Sequence, residues 1–266
     1  MLTSGDGITL APKHLWKEWH KIIRTIKSST SVFILLDYDG TLTPIVDRPE
    51  NAYISSETRN LLKTLAKKRG YKVGIISGRI LEDIKKRVGL EDLYYAGNHG
   101  LELSGPGIEF VHPEAKELVG NISKISGELK IKLEGVEGVI VEDKILTLSI
   151  HYRTTPAEKI ELVKQKVLEV LSRWQHLNLT YGKKVLEVKP RLDWNKGKAA
   201  QLLIEKVAPE SLPIYAGDDS TDEDAFLQLS RGVTILVTNT PIQTSARYYL
   251  RDADEVKEFL KQLAIL

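Results

Sequence analysis

Apolar runs of strand length alternate with stretches whose apolar residues recur at helical spacing, and this rhythm fills both ends of the chain. Val32 to Leu36 is entirely apolar, the pattern of a strand buried on both faces. A helical pattern near 56–69, an apolar strand at 73–76, a helix near 80–88 and a strand at 93–96 follow. After Pro190 the rhythm resumes with helix 196–207, strand 213–216, helix 221–229, strand 233–237 and a final helix 254–264. Strands that alternate with helices in this way predict a parallel sheet covered on both faces.

From about Ser104 to Lys184 the pattern changes. It predicts a helix near 114–131, paired strands at 136–141 and 145–152, a helix at 156–174 and two further strands at 177–181 and 185–188. Glu142-Asp143-Lys144 then falls at the tip of a hairpin. The predicted architecture is α/β: a parallel-sheet core built from 31–103 and 190–266, interrupted by a smaller inserted α+β unit over 104–189. Ligands of open parallel sheets bind beyond the carboxyl ends of the strands, so a unit inserted at that edge would act as a lid. Residues 1–30 form an extension with one amphipathic helix, Lys13 to Lys27, in which Leu15, Trp19, Ile22, Ile23 and Ile26 share a face. Its opposite side is basic, yet the ordinary surface-helix pattern favours packing on the core over lying on a membrane.

Composition narrows the partners more than the fold. The 266 residues carry 38 basic and 36 acidic side chains, a net charge of +2 spread throughout, which gives no electrostatic reason to expect nucleic acid or an anionic membrane. No apolar stretch approaches a membrane span, and the first residues lack the apolar centre of a signal peptide. With no cysteine, thiolate catalysis, thiolate zinc sites and disulfides are excluded, which is compatible with a reducing cytoplasm. The expected partner is a small molecule.

Candidate chemistry gathers at strand ends. Asp37-Tyr38-Asp39-Gly40-Thr41 follows the Val32 to Leu36 run, and side chains alternate along an extended segment, so Asp37 and Asp39 can face one crevice. Two carboxylates ending a buried strand are costly unless they do chemistry. The segment 216–224 holds five acids within 218–224 after another apolar strand; Ser220 or Thr221 suits a helix N-cap there, while Asp218 and Asp219 precede the helix. If Asp218 joins Asp37 and Asp39, their repulsion calls for a cation, and a set of oxygen donors without cysteine suggests magnesium. Ser77-Gly78-Arg79 ends a third strand and offers a hydroxyl, a backbone amide and a guanidinium to a phosphate, while Lys196 opens a helix where the same charge can be met.

The order DxDGT, Ser77, Lys196, GDDxxD resembles the haloacid dehalogenase superfamily of phosphotransferases, from about Val32 onward. Gly97-Asn98-His99-Gly100-Leu101-Glu102, Glu142-Asp143-Lys144 with His151-Tyr152-Arg153, Glu187-Val188-Lys189-Pro190 and GDDSTDED are similar to the trehalose-6-phosphate phosphatases within it. The resemblance implies a Rossmann-like haloacid dehalogenase core with an α+β cap. It further implies a magnesium-dependent phosphatase in which Asp37 is the nucleophile, Asp39 the acid and base, and Ser77 and Lys196 the phosphoryl holders. Magnesium would rest on Asp37, Asp218 and the backbone carbonyl of Asp39, backed by Asp219 and Asp222. Substrate would meet Gly78, Arg79, His99, Gly100, Glu102, Glu142, Lys144, Arg153, Glu187 and Lys189. A sugar-phosphate substrate and a functional pairing with a trehalose-6-phosphate synthase are the implied partners. A phosphatase of sucrose phosphate or glucosylglycerol phosphate, a phosphomutase, or an inactive sugar-phosphate sensor are the alternatives.

Overall fold

Nine strands form the larger sheet of the computed structural model, which describes residues 11–46, 48–240 and 242–266. Their spatial order is Lys13–His14, Tyr248–Leu250, Val233–Val237, Leu212–Gly217, Val32–Leu36, Tyr71–Ile76, Tyr94–Gly97, Glu102–Gly105 and Ile108–Val111. The first seven pair in parallel, and the last two are joined on by antiparallel pairing. Leu36 lies opposite both Ala216 and Ile75, and Ile76 opposite Ala96, so Asp37, Ser77, Asn98 and Asp218 emerge along one edge. Val32–Leu36 is buried at every residue, as its unbroken apolar run requires.

Helices cover both faces. One layer rests on Ile34, Leu36, Ile75 and Ile214 and includes Leu62, Ile84 and Phe259; the other rests on Phe33, Leu35 and Tyr215 and includes Ala199, Leu203 and Phe226. Caps predicted by residue type hold two of the helices: Ser55 accepts from the Thr58 amide and Asn195 from the Lys198 amide. At the acid-rich turn the cap position is Asp219 rather than Ser220 or Thr221, and a short 3-10 turn precedes the helix Glu223–Gln228.

The amphipathic segment of the extension does pack on the core, through Leu15, Ile22 and Ile26, but its helix spans only Trp19–Ser28. Lys13–His14 instead adds a short parallel strand to the sheet edge beside Tyr248–Leu250, and a 3-10 turn links the two. The first ten residues of that extension lie outside the described residues.

Residues 104–111 belong to the large sheet, so the inserted unit begins after Val111, not at 104. The cause is the pair of reversals after Tyr94–Gly97: Glu102–Gly105 runs back along that strand, and the hairpin turn at Gly105-Pro106-Gly107 lays Ile108–Val111 along Glu102–Gly105 before the chain leaves the core. The insertion is a four-stranded antiparallel sheet in the order Ile140–Asp143, Leu148–His151, Val185–Pro190, Leu177–Gly182. Helices Val119–Lys132 and Ala157–Leu171 cover one face through Ile122, Ile125, Leu129, Val163 and Val167, packed on Leu148, Ile150 and Leu186. Residues 136–139 form turns rather than strand, so the first hairpin is shifted: Glu142 and Asp143 lie in a strand, and the turn is closed by the Lys144 amide on the Thr147 carbonyl at 2.9 Å. Period-two alternation leaves Glu142, His151, Glu187 and Lys189 on the sheet's other face, toward the edge where Asp37, Ser77 and Asp218 emerge.

At Gly100 the core comes closest to the helix Lys196–Val207. The residue has φ +91°, a Cβ there would overlap Cβ of Ala199, and its carbonyl accepts a hydrogen bond from Trp194 Nε1 at 2.8 Å. Gly100→Ala therefore combines left-handed strain with overpacking, an expected loss of about 2–4 kcal/mol. Calorimetry should show the melting temperature falling by roughly 5–15 °C; a change within about 2 °C would show that the turn repacks freely.

Candidate active site

A cavity of about 900 Å³ lies between the carboxyl edge of the large sheet and the open face of the inserted sheet. At its floor the buried ammonium of Lys196 donates to Asp37 Oδ1 and to Asp222 Oδ1, each at 2.8 Å. Burial pushes the Asp37 carboxyl well above the usual carboxylate range, while Lys196 pulls against it. Burial would strip the proton from Lys196, yet Asp222 and Asp37 together hold its pKa well above that of a free lysine. Asp222 is fully occupied: Oδ1 also accepts from the Tyr215 hydroxyl at 2.7 Å, and Oδ2 accepts the Asp218 and Asp219 amides at 3.0 Å.

Among the described residues, carboxylate oxygens of Asp37, Asp218 and Asp222 lie within 4.8 Å of one another, which is a grouping able to hold a cation. Because Asp222 already accepts four hydrogen bonds, the oxygens left for an ion are those of Asp37 and Asp218. Gly40, at φ +87°, makes room: a Cβ there would overlap the Asp218 carboxylate. Burial pushes Asp218 up to about 6, opposed by the Lys183 ammonium, which sits 2.8 Å from its Oδ2. The available donors are all carboxylate oxygens, a set that suits a hard, oxygen-preferring divalent ion such as magnesium.

Asp39 is placed differently from Asp37. Arg79 grips its carboxylate with two hydrogen bonds, Nε to Oδ2 at 2.7 Å and Nη2 to Oδ1 at 2.6 Å. A third guanidinium nitrogen donates to Asp83 at 3.0 Å, which Arg87 also holds at 2.8 Å. Arg79 thus spends these hydrogen bonds on carboxylates, where the motif suggested a phosphate. Ser77 is buried and lines the cavity, its Oγ accepting the Arg79 amide at 3.2 Å.

Over this floor the inserted unit brings a second cluster. Lys144 donates to the Gly78 carbonyl at 3.0 Å and stands 3.7 Å from Glu187, whose other oxygen is 2.7 Å from Lys189. His99 Nε2 lies 3.0 Å from Glu187 Oε1. Burial pushes His99 down to about 4, so the ring is neutral near pH 7 and donates this bond. Burial works to raise Glu187, yet the His99 bond and the ammonium groups of Lys144 and Lys189 hold it well below the usual carboxylate range. Glu142 pairs with His151 at 2.8 Å, and Arg153 donates to the Lys183 carbonyl at 3.0 Å. Asp219, near the floor, accepts from Ser220 at 2.8 Å.

Gly100 and Glu102 are not brought to the cavity. Gly100 is a packing position, and Glu102 accepts the Leu81 amide at 2.9 Å at the start of helix Leu81–Val88, and Asn98 Nδ2 at 2.8 Å. An acid at a helix start meets the positive end of its dipole, which explains that placement. Two cavity features escaped the sequence reading. Lys183 projects from the turn between the strands Leu177–Gly182 and Val185–Pro190; a basic pair after Gly182 was the available signal. The other is the turn beside His99, where Asn98, at φ 49°, and His99, at φ 58°, adopt the left-handed backbone that Asn and His enter more readily than most residues.

Comparison with known proteins places this geometry. A sequence model described as trehalose-phosphatase matches residues 35–255. The chain is 40% identical over 248 residues to the probable trehalose-phosphate phosphatase D of Arabidopsis thaliana, covering 87% of this chain and 67% of that protein. It is 38% identical over 280 residues to the trehalose 6-phosphate phosphatase RA3 of Zea mays, covering 98% and 76%. The C-terminal domain of C. albicans trehalose-6-phosphate phosphatase shares the fold with a TM-score of 0.81 at 24% identity, over 98% of this chain and 100% of that one.

The buried His99 generates a pH dependence. Its pKa falls from 6.5 to about 4 on folding, so the unfolded chain takes the proton first and stability is lost as pH drops from 6.5 toward 4. Over that interval the histidine should remove about 3 kcal/mol. Urea unfolding of wild type and His99→Gln across this range should show the variant losing less; parallel profiles would place the proton elsewhere. The chain is a phosphatase and belongs to the trehalose-phosphatase family.

Proposed function

We propose that the chain hydrolyses trehalose 6-phosphate to trehalose and inorganic phosphate, with magnesium as cofactor. The observation that carries this reading is Asp37 itself: one oxygen is fixed by Lys196 at 2.8 Å, and the residue lines the cavity beneath the polar face of the cap. A carboxylate so held is positioned to attack phosphorus with its other oxygen. The phosphorus–oxygen bond of the sugar ester breaks as the bond to Asp37 forms, giving an aspartyl-phosphate. Asp39 supplies the proton to the departing sugar oxygen and later takes one from the water that attacks phosphorus, which returns Asp37 and releases phosphate. For this Asp39 must first turn out of its pair with Arg79.

Asp37 and Asp218, with the backbone carbonyl of Asp39, would hold the magnesium, which when bound supplies charge neutralisation for the phosphoryl group. Lys196 keeps Asp37 oriented and, with the Ser77 hydroxyl, faces the phosphoryl oxygens. Glu142, Lys144, Glu187 and Lys189 present donors and acceptors that suit the hydroxyls of a disaccharide, and Arg153 steadies the hairpin beside them. The names of the relatives in Arabidopsis and maize support trehalose 6-phosphate as the choice. Its source would be a trehalose-6-phosphate synthase, and the cysteine-free chain suits a reducing cytoplasm. Among the described residues no helix is long and apolar enough to cross a membrane.

Phosphate release from a panel of sugar phosphates should favour trehalose 6-phosphate over sucrose 6-phosphate, and equal rates would remove the substrate assignment. Asp37→Asn should lower turnover by more than about 10³-fold while the protein stays folded; near-normal hydrolysis by that variant would displace Asp37 as nucleophile. Exhaustive chelation should abolish activity and added magnesium restore it, whereas full activity after chelation would end the cofactor proposal.

A further inference from the structure

The turn that carries Lys183 is pinned at both of its residues. The Lys183 carbonyl accepts from Arg153 Nη2 at 3.0 Å, and the Lys184 carbonyl accepts the Tyr152 amide at 3.1 Å. The hairpin therefore delivers the Lys183 side chain to the floor of the cavity from the cap. There its ammonium lies 2.8 Å from Asp218 Oδ2 and 3.3 Å from the Asp218 carbonyl oxygen. Lys183 remains half exposed, while the Asp218 side chain is 7% exposed.

Charge counting gives this contact a meaning. Asp37, Asp218 and Asp222 gather three carboxylates, and Lys196 pairs with only two of them, Asp37 and Asp222. Asp218 needs a cation of its own, and the cap provides one. We infer that Lys183 is an internal counter-cation for Asp218, which holds the cap to the core in the cation-free protein and competes with the divalent ion for the same carboxylate. The inference rests on the reading of Asp218 as a metal ligand. A divalent cation must then displace the lysine to bind, and its apparent affinity is reduced by the fraction of molecules in which the pair is formed. The displaced ammonium, still carried by the pinned hairpin at the cavity wall, is left beside the place where an anionic phosphoryl group would arrive. Cap contact and cation binding oppose each other until substrate supplies the lysine with a new partner.

Calorimetric titration of magnesium into the full chain separates the possibilities without recourse to turnover. Lys183→Met keeps the length of an exposed side chain and removes its charge. It should bind magnesium about 3- to 10-fold more tightly than wild type. Lys184→Met removes the same charge from the neighbouring residue, which makes no contact with Asp218, and should stay within about twofold of wild type. Equal affinities for wild type and Lys183→Met, weaker binding by that variant, or equal tightening by both variants would each overturn the competition. Asp218→Asn should lose magnesium binding. If it binds as wild type does, or if wild type takes up no magnesium, the metal reading itself fails and the inference fails with it.

Discussion

A single buried ammonium holds two carboxylates inside this protein, and the geometry of the site follows from it. Lys196 is 3% exposed, Asp37 4% and Asp222 fully buried. Charges this far from water are tolerated only as a satisfied set, and removing one partner of such a set typically costs about 3–5 kcal/mol because the others are left uncompensated. The set draws on three parts of the chain: the end of Val32–Leu36, the start of helix Lys196–Val207 and the turn after Leu212–Gly217. Asn195 fixes the start of that helix through the Lys198 amide, so the direction of Lys196 is decided before its charge meets anything. Fold and chemistry are therefore joined at one atom.

The cap is tied to this floor in two ways that respond differently to charge. Asn98 Nδ2 donates to the Lys144 carbonyl at 3.1 Å and its Oδ1 accepts from the Thr147 hydroxyl at 2.6 Å, a neutral buried connection indifferent to salt or metal. Lys183 to Asp218 and Lys144 to the Gly78 carbonyl are made by ammonium groups and depend on what else occupies the cavity. The left-handed backbone at Asn98 and His99 is maintained because the Asn98 amide donates to the Arg79 carbonyl at 2.7 Å and the His99 amide to the Ser77 carbonyl at 2.9 Å. The neutral connection thus springs from a turn whose backbone the core holds in place, beside the charged contacts.

Much of this was legible in the residues. Unbroken apolar runs gave the parallel strands, because a strand covered on both faces has no polar alternation to hide it. Acids at the ends of those runs marked the catalytic edge. The inserted unit was less legible for physical reasons: Val136 and Val139 carry the apolar character of the strand that follows, while the turns there rest on Gly135 and Gly138, both at left-handed φ. Gly105-Pro106-Gly107 was a readable turn, yet Glu102–Gly105 and Ile108–Val111 are four residues each, too short for alternation to stand out. Glu102 closes the Gly97 to Glu102 motif that carries the resemblance, whereas its carboxylate serves a helix start 21 residues away. Lys183 could be seen as a turn residue, but its partner lies 35 residues along the chain, a relation no local pattern encodes.

Arg79 shows most clearly how placement revises a motif. A guanidinium after a Ser-Gly turn reads as a phosphate ligand, and here it forks onto Asp39 while sharing Asp83 with Arg87. Both oxygens of the Asp39 carboxylate are taken by this fork, so the pair holds that side chain away from any other partner. Tyr38 limits where the guanidinium can go, since its ring lies 5.4 Å away and is itself locked by a hydroxyl bond to the Ala52 carbonyl at 3.0 Å. The Asp39 side chain, by contrast, is 43% exposed and lines the cavity. Parting this pair is therefore a motion of Asp39 rather than of Arg79, whose guanidinium is also held by Asp83 and covered by Tyr38.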